Sequence, residues 1–263
     1  DNKDYTFVDL PSEVIPQNVV GLYKKLLEKG YSIDDIQVLT AKNVGDCGTI
    51  VLNNMIQKVA NPNYGSEVFM KVGDTTYFEG DLVIQKVNNY KAELDLQHLS
   101  EWEKDMYSAS EDVPTAFIAN GETGIVREIY KSYCIIEFDG VLVKYYRADM
   151  QMISLGYSIT IHKSQGSSIK IVILCTPQSH IYMLNSNLLY VGLTRMKEGC
   201  YHLGALNSIN QAVKKKANLT RHTHMQELLL TMPEEEYMAL EKSEKKKPEI
   251  DGTEEDTEEL PWI

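Results

Sequence analysis

The chain has 263 residues and a formal net charge of −12, and 43% of its residues are hydrophobic and 24% charged. These values describe a soluble globular protein that can bury one core, or a core plus a small insert. No apolar run approaches the length that spans a bilayer, and the N-terminal residues lack signal-peptide character, so we expect a cytoplasmic protein without a membrane partner. The chain begins at Asp1 rather than Met, and we expect it to be one part of a longer product.

The negative charge is concentrated near the C-terminus. Residues 233–263 contain twelve Asp or Glu and four Lys, a net charge of −8, which leaves −4 for residues 1–232. We predict that residues 233–263 form a disordered acidic tail, because they contain too little apolar surface to order themselves. The tail either only keeps the protein soluble or docks a protein partner through Trp262 and Ile263. The nearly neutral remainder can still bind a polyanion in a local groove.

Cysteine and histidine spacing predicts no metal site. The four cysteines are far apart and include no CxxC pair, which favours reduced and buried thiols. His222 and His224 are close enough in sequence to touch one metal ion, but an exposed polar helix start explains them better.

Residues 1–66 are predicted to alternate strands with helices. A short strand comes first, and a helix follows that has Pro16 near its start and Gly30 as a natural C-cap. Residues 34–40 read as a buried strand, and a second helix is predicted to stop before Pro62. This alternation predicts a parallel sheet that is covered by helices.

The pattern changes in residues 67–153. Short segments alternate apolar with polar residues, and turn residues such as Asp139-Gly140 separate them. Five such strands predict a small all-β barrel inserted into the parallel-sheet domain. Residues 91–116 are polar, acidic and partly helical in spacing, which indicates a surface excursion from the barrel.

Residues 156–204 resume the parallel-sheet pattern and contain two polar signatures. In ITIHKSQGSS, an apolar strand ends at Ile161 and a polar group follows at a predicted strand-to-helix turn. Its donors are His162, Lys163, Ser164 and Gln165, and Gly166 allows close approach of the backbone to a ligand. Such a cluster suits phosphate or ribose contacts, and the alternative is an ordinary polar loop.

The second signature is LLYVGLTR, residues 188–195. Its apolar residues predict a segment that faces the core and presents Thr194 and Arg195 at one end. An arginine so placed can stabilise charge on a transferring phosphoryl group. For a lone arginine, a surface salt bridge is the alternative.

Together, in this order and at this distance, the two stretches resemble motifs V and VI of superfamily 1 helicases, in particular the RecD-like group that moves 5′ to 3′. Upstream, IQVLTAKN resembles the first strand of that family's second RecA-like domain, and GTIVLNNMIQKVANP resembles the helix after it. FMKVGD, DLVIQKVNNY, NGETGIV and FDG resemble the small SH3-like barrel that is inserted there. The resemblance covers roughly residues 34–204, with a gap at 91–116.

The resemblance implies an α/β fold with a RecA-like parallel sheet, helices on both faces, and an inserted SH3-like barrel. The RecA-like domain would comprise residues 1–66 and 154–232, and the barrel residues 67–153.

The resemblance also implies roles for individual residues. Those that would face single-stranded DNA, or link it to the nucleotide, are Thr160, His162, Lys163, Ser164 and Gln165. Arg195 would be the catalytic residue and would reach the γ-phosphate of ATP. The other residues near the nucleotide would be Gly166, Ser167, Tyr190 and Thr194, with Lys42 as a looser match. The family usually has an acidic residue where this chain has Ser168, so the role of that carboxylate does not transfer.

The sequence contains no GxxxxGK[ST] loop and no convincing magnesium-binding acidic pair. ATP and Mg²⁺ would therefore be bound mainly by an upstream phosphate-loop RecA-like domain, in the same protein or on another chain. Without that domain we expect this chain to be inactive as an ATP hydrolase.

Two other readings remain open. The chain could belong to a non-catalytic DNA-binding or adaptor protein derived from such a helicase, or to a Pif-like or Dda-like helicase. LLYVGLTR favours the RecD-like group. The barrel tyrosines could hold a DNA strand or could only pack on half-exposed strands; they are Tyr77, Tyr90, Tyr130, Tyr133, Tyr145 and Tyr146. A bacterial or phage-like setting is expected.

Overall fold

The computed structural model describes residues 4–98, 104 and 113–215, and these contain a parallel sheet and an antiparallel sheet. The parallel sheet has five strands in the spatial order β1 (Tyr5–Asp9), β14 (Met196–Gly204), β13 (Ile169–Thr176), β2 (Ile36–Thr40) and β12 (Ser158–Thr160). Every neighbouring pair in it is parallel. The predicted α/β class with a parallel sheet is confirmed.

Four helices cover both faces of this sheet in the described part of the chain: α1 (Ile15–Glu28), α2 (Thr49–Ala60), α3 (Ser186–Leu193) and α4 (Leu206–Lys214). Side chains alternate along β2, so Val38 faces one side of the sheet and Leu39 the other. On the Val38 side, α1 and α2 bury Val19, Tyr23, Leu52 and Ile56. On the Leu39 side, α3 and α4 bury Leu188, Leu189 and Ala212.

The antiparallel sheet has seven strands. Their spatial order is β11 (Ile153–Leu155), β5 (Leu82–Gln85), β8 (Thr123–Ile129), β9 (Tyr133–Phe138), β10 (Val141–Tyr146), β6 (Asn89–Leu94) and β7 (Thr115–Ile118). A separate hairpin pairs β3 (Phe69–Val72) with β4 (Thr75–Phe78). A closed SH3-like barrel stays a prediction.

The strands of this region are more numerous than the five expected. DLVIQKVNNY contains all of β5 and the start of β6, and between the two strands Gln85 Nε2 donates to the Val87 carbonyl at 2.8 Å. Strands β6 and β7 contain the two ends of the predicted excursion, residues 91–116, and most of its middle lies outside the described residues. The predicted acidic tail, residues 233–263, also lies outside them.

Asp81 connects the two sheets. It lies directly before β5, is fully buried, and accepts hydrogen bonds from Gln57 Nε2 at 2.6 Å and Asn61 Nδ2 at 2.7 Å. The hydroxyl of Tyr157, beside β12, donates to it at 2.9 Å, and the backbone N–H of Phe78 donates at 2.7 Å. Burial raises the pKa of Asp81, while these hydrogen bonds favour its charged form. The cluster therefore holds the antiparallel sheet against α2 and β12.

Candidate nucleotide and nucleic-acid site

ITIHKSQGSS forms the end of β12 and a series of tight turns, residues 161–168, that leads to β13. The backbone N–H of Lys163 donates to the Thr160 carbonyl at 2.9 Å, and that of Ser167 donates to the Ser164 carbonyl at 3.1 Å. Gly166 has a φ of +87°, a left-handed conformation in which a side chain would be strained. The stretch therefore connects two strands, so the predicted strand-to-helix turn is wrong. The polar groups of the turn form hydrogen bonds with one another instead of beginning a helix.

The residues predicted to face DNA divide into two groups by burial. The accessible ones are Thr160, His162, Lys163 and Gln165. Ser164 is fully buried, and its hydroxyl donates to the Ile161 carbonyl at 2.8 Å. Ser164 therefore holds the 161–168 turn together and is not available to a ligand, which corrects its predicted role.

Helix α3 carries the second signature and is fixed at both ends. Asn185 caps it, since its side chain accepts a hydrogen bond from the Leu188 N–H at 2.9 Å. Gly192 allows the helix to lie close to β13, because a Cβ at this position would come within 3.0 Å of Leu174 Cδ1. The next residues, Thr194 and Arg195, emerge at the end of the helix, as the sequence predicts.

Arg195 joins the two signatures. Its Nη1 donates to the Ser167 carbonyl at 3.1 Å, its Nε donates to the Val191 carbonyl at 3.1 Å, and its Nη2 lies 3.2 Å from Thr194 Oγ1. Among the described residues Arg195 forms no salt bridge. Within the described part of the chain, its positive charge is thus oriented by neutral groups, and no carboxylate there neutralises it.

Three of the predicted nucleotide-facing residues lie near Arg195. Thr194 is exposed, and its hydroxyl donates to the Tyr190 carbonyl at 2.9 Å. The Tyr190 side chain is 69% exposed, so it is free to contact a ligand or another domain. Ser167 is exposed, although its hydroxyl donates to the Ser164 carbonyl at 2.7 Å.

Lys42 does not join this group. It lies two residues after the end of β2, whereas Arg195 directly precedes the first residue of β14. Since the strands are parallel, these positions lie at opposite edges of the sheet, the carboxyl edge and the amino edge. The Lys42 ammonium instead donates to the Ser179 carbonyl at 2.9 Å, beside buried His180. Burial, with a further contribution from Lys42, lowers the pKa of His180 to about 4.

A cavity of about 90 Å³ with a mixed polar and apolar lining lies at the carboxyl edge, between the two sheets. Thr160 and Lys163 line it together with Asn43, Asn53, Asn54 and Ser158. Among the described residues of its lining, Lys163 alone is charged. Burial lowers the pKa of Lys163, and the charge of Lys86 lowers it further. The cavity is therefore suited to an anionic group.

Asn53 and Ser158 were not among the residues predicted from the sequence. Asn53 Nδ2 donates to the Ser158 carbonyl at 2.8 Å, and Asn53 Oδ1 accepts from the Ser158 N–H at 2.8 Å. The signal that could have identified Asn53 is a polar residue on the buried face of an amphipathic helix, between Leu52 and Ile56.

The barrel tyrosines do not form one surface. Tyr77 and Tyr145 are buried, and Tyr145 donates to Gln85 Oε1 at 2.9 Å. Tyr130 and Tyr133 stack with ring centroids 4.7 Å apart. The packing interpretation therefore holds for Tyr77 and Tyr145.

The residues that the structure describes contain no cluster of His, Cys, Asp or Glu suited to a metal ion. Within the same residues, no helix is both long and apolar enough to cross a membrane.

Comparison with known proteins supports the resemblance of the motifs. Residues 155–202 match the UvrD-like helicase C-terminal domain. An ATP-dependent RecD2 DNA helicase of Deinococcus radiodurans is 28% identical over 173 residues, which are 66% of this chain and 20% of that protein. These similarities support the resemblance of the two signatures to the C-terminal half of superfamily 1 helicases.

Other similar proteins match larger or smaller parts of the chain. An uncharacterised protein of Methanocaldococcus jannaschii is 28% identical, over 64% of this chain and 14% of its own length. The chain thus spans a fifth or less of the length of the two curated relatives. The structure of Bacteroides Pif1 helicase with ADP-AlF3 and ssDNA has a TM-score of 0.41 at 15% identity, covering 90% of this chain and 55% of that one. Pif1 helicase of Candida albicans has a TM-score of 0.37 at 13% identity, covering 78% and 53%.

Proposed function

We propose that this chain is the second half of an ATP-driven motor that moves 5′ to 3′ along single-stranded DNA. The observation that carries the proposal is the hydrogen bond from Arg195 to the Ser167 carbonyl. This bond connects the residue that would reach ATP to the turn that would contact DNA. The antiparallel sheet would be the SH3-like barrel, inserted as residues 67–153 between the two parts of the RecA-like domain, 1–66 and 154–232.

The nucleotide side of the site would be the amino edge of the parallel sheet. ATP and Mg²⁺ would be held mainly by a phosphate-loop domain, and Arg195 would approach the γ-phosphate from this chain. An arginine that is oriented by backbone carbonyls but has no carboxylate partner keeps its charge for the transferring phosphoryl group. Tyr190 and Thr194 would complete this surface, and Gly166 would allow the phosphates to come close to the turn.

The DNA side of the site would be the carboxyl edge. Thr160 and Lys163 line the cavity there, and the side chains of His162 and Gln165 are exposed in the same turn. A strand bound mainly through its phosphates would be held with little sequence preference. Closure of the two RecA-like domains on ATP would move these DNA contacts along the strand. Hydrolysis of ATP would then release the closed state.

The test is Arg195→Ala in the complete protein, assayed for DNA-stimulated ATP hydrolysis. Loss of an arginine finger lowers turnover by roughly 10³-fold or more, while affinity for an oligonucleotide should change less than about twofold. The matched control is Arg127→Ala, which removes an exposed arginine of β8 that pairs with Glu137 at 2.6 Å. Wild-type turnover in Arg195→Ala would refute the proposal. DNA binding without any ATP hydrolysis by the unmutated complete protein would favour the non-catalytic adaptor.

A further inference from the structure

The antiparallel sheet carries a lysine next to a strand that lines the cavity at the carboxyl edge. Lys86 directly follows β5, and its backbone N–H donates to the Met152 carbonyl at 2.7 Å, which continues the pairing beyond the strand. Side chains alternate along an extended chain, so Lys86 lies on the same face as Ile84. Since Ile84 lines the cavity, the Lys86 side chain extends on the cavity side of the sheet.

Lys86 and Lys163 form a pair of like charges. Burial lowers the pKa of Lys163, and the charge of Lys86 lowers it further. Neither lysine forms a salt bridge within the described part of the chain, and no carboxylate belongs to the cavity lining there. Two ammonium groups brought together without an anion destabilise each other, and an anionic ligand between them would remove that repulsion.

Two further features of the cavity favour an anion. The Ser158 hydroxyl is buried and lacks a hydrogen-bond partner, although its residue lines the cavity. Asn53 occupies only the Ser158 backbone groups, which leaves this hydroxyl as an available donor. The N-terminal residue of α2, Thr49, also lines the cavity, so the positive end of the helix dipole is directed there.

We propose that Lys86 and Lys163 together bind one backbone phosphate of single-stranded DNA at this cavity. The inference rests on the proposed function and adds a contact from the antiparallel sheet to it. In this arrangement the phosphate group would enter the cavity while the base and sugar remain outside. The antiparallel sheet would therefore take part in binding the DNA strand, and bound DNA would connect it to the 161–168 turn.

The experiment measures binding of a labelled oligothymidylate, about 12 nucleotides long, to the full chain at several salt concentrations. Each phosphate contact on a single strand contributes about −0.7 to the slope of log affinity against log salt. Lys86→Gln should therefore reduce the slope by about 0.7, so affinity falls about 2.6-fold less between 50 and 200 mM salt. Lys86→Arg should preserve the slope. The control, Lys131→Gln, removes an exposed lysine from the turn between β8 and β9 and should leave the slope unchanged.

The variants separate this inference from the proposed function. If Lys163→Gln lowers the slope but Lys86→Gln behaves like Lys131→Gln, the shared phosphate site is refuted and DNA binding by the turn stands. If the unmutated complete protein binds no oligonucleotide at low salt, both are refuted. Combining Lys86→Gln with Lys163→Gln should lower the slope by less than the sum of the single changes if they share one phosphate. If Lys86→Gln weakens binding of ADP instead of the oligonucleotide, the cavity belongs to the nucleotide and the proposal is wrong.

Discussion

Replacement of Asn53 by alanine tests how the edge of the parallel sheet is held. Strand β12 is an edge strand, and its Ser158 N–H and carbonyl point away from β2 toward Asn53. The amide of Asn53 thus pairs with Ser158 as a neighbouring strand would. Asn53 is only 6% exposed, so water has little access to the two backbone groups. A buried backbone group that loses its partner costs about 1–3 kcal/mol, so Asn53→Ala should lower the free energy of unfolding by about 3 kcal/mol.

Urea denaturation followed by far-UV circular dichroism measures this change in the free energy of unfolding. The control is Asn54→Ala, because Asn54 is the next residue of α2 and is exposed. We expect that substitution to change the free energy of unfolding by less than about 0.5 kcal/mol. If Asn53→Ala is as stable as Asn54→Ala, the side chain does not hold β12, and the geometry of the cavity beside it does not depend on Asn53.

Two further predictions concern His202 and Gly166. Burial lowers the pKa of His202 to about 4, so the unfolded chain binds a proton first as pH falls from 6.5, and stability is lost from there down to pH 4. At pH 5 the loss is about 2 kcal/mol, and His202→Gln should flatten the pH dependence of urea unfolding. Gly166→Ala should lower the free energy of unfolding by about 1 kcal/mol because its φ is +87°, while Gly21→Ala, in the middle of α1, should raise it by about 0.5 kcal/mol. Equal effects of the two glycine substitutions, or an unchanged pH dependence in His202→Gln, would contradict the respective prediction.

The helices and strands that were predicted well have local signals. Pro16 lies in the first turn of α1, and Gly30 follows the helix with a φ of +96°, so both ends could be located from the sequence. Strand β13 is buried along almost its whole length, as a continuous apolar run in a parallel sheet requires. The spacing of apolar residues in LLYVGLTR likewise predicted that Thr194 and Arg195 follow the end of α3, and they do.

The features that were missed depend on contacts between distant residues. Asn53 and Ser158 are 105 positions apart, and no local pattern specifies that one completes the hydrogen bonds of the other. Ser164 is a residue type that often binds ligands. In the structure its hydroxyl donates to the carbonyl of Ile161, three residues earlier, and the side chain is buried in the turn. Lys42 comes after a strand, where a phosphate-binding residue is expected, whereas Arg195 comes before a strand. Because the sheet is parallel, the two residues lie at opposite edges of it.

Hydrogen bonds within the 161–168 turn connect its two ends. It leaves β12 at the carboxyl edge, where Thr160 lines the cavity, and reaches β13 at the amino edge, where the Ser167 carbonyl holds Arg195. Between them, the Ser164 carbonyl accepts hydrogen bonds from both the N–H and the hydroxyl of Ser167. A displacement at the cavity is therefore resisted by bonds that also orient Arg195. If DNA in the cavity changes the affinity for ATP by some factor, thermodynamic linkage requires ATP to change the affinity for DNA by the same factor.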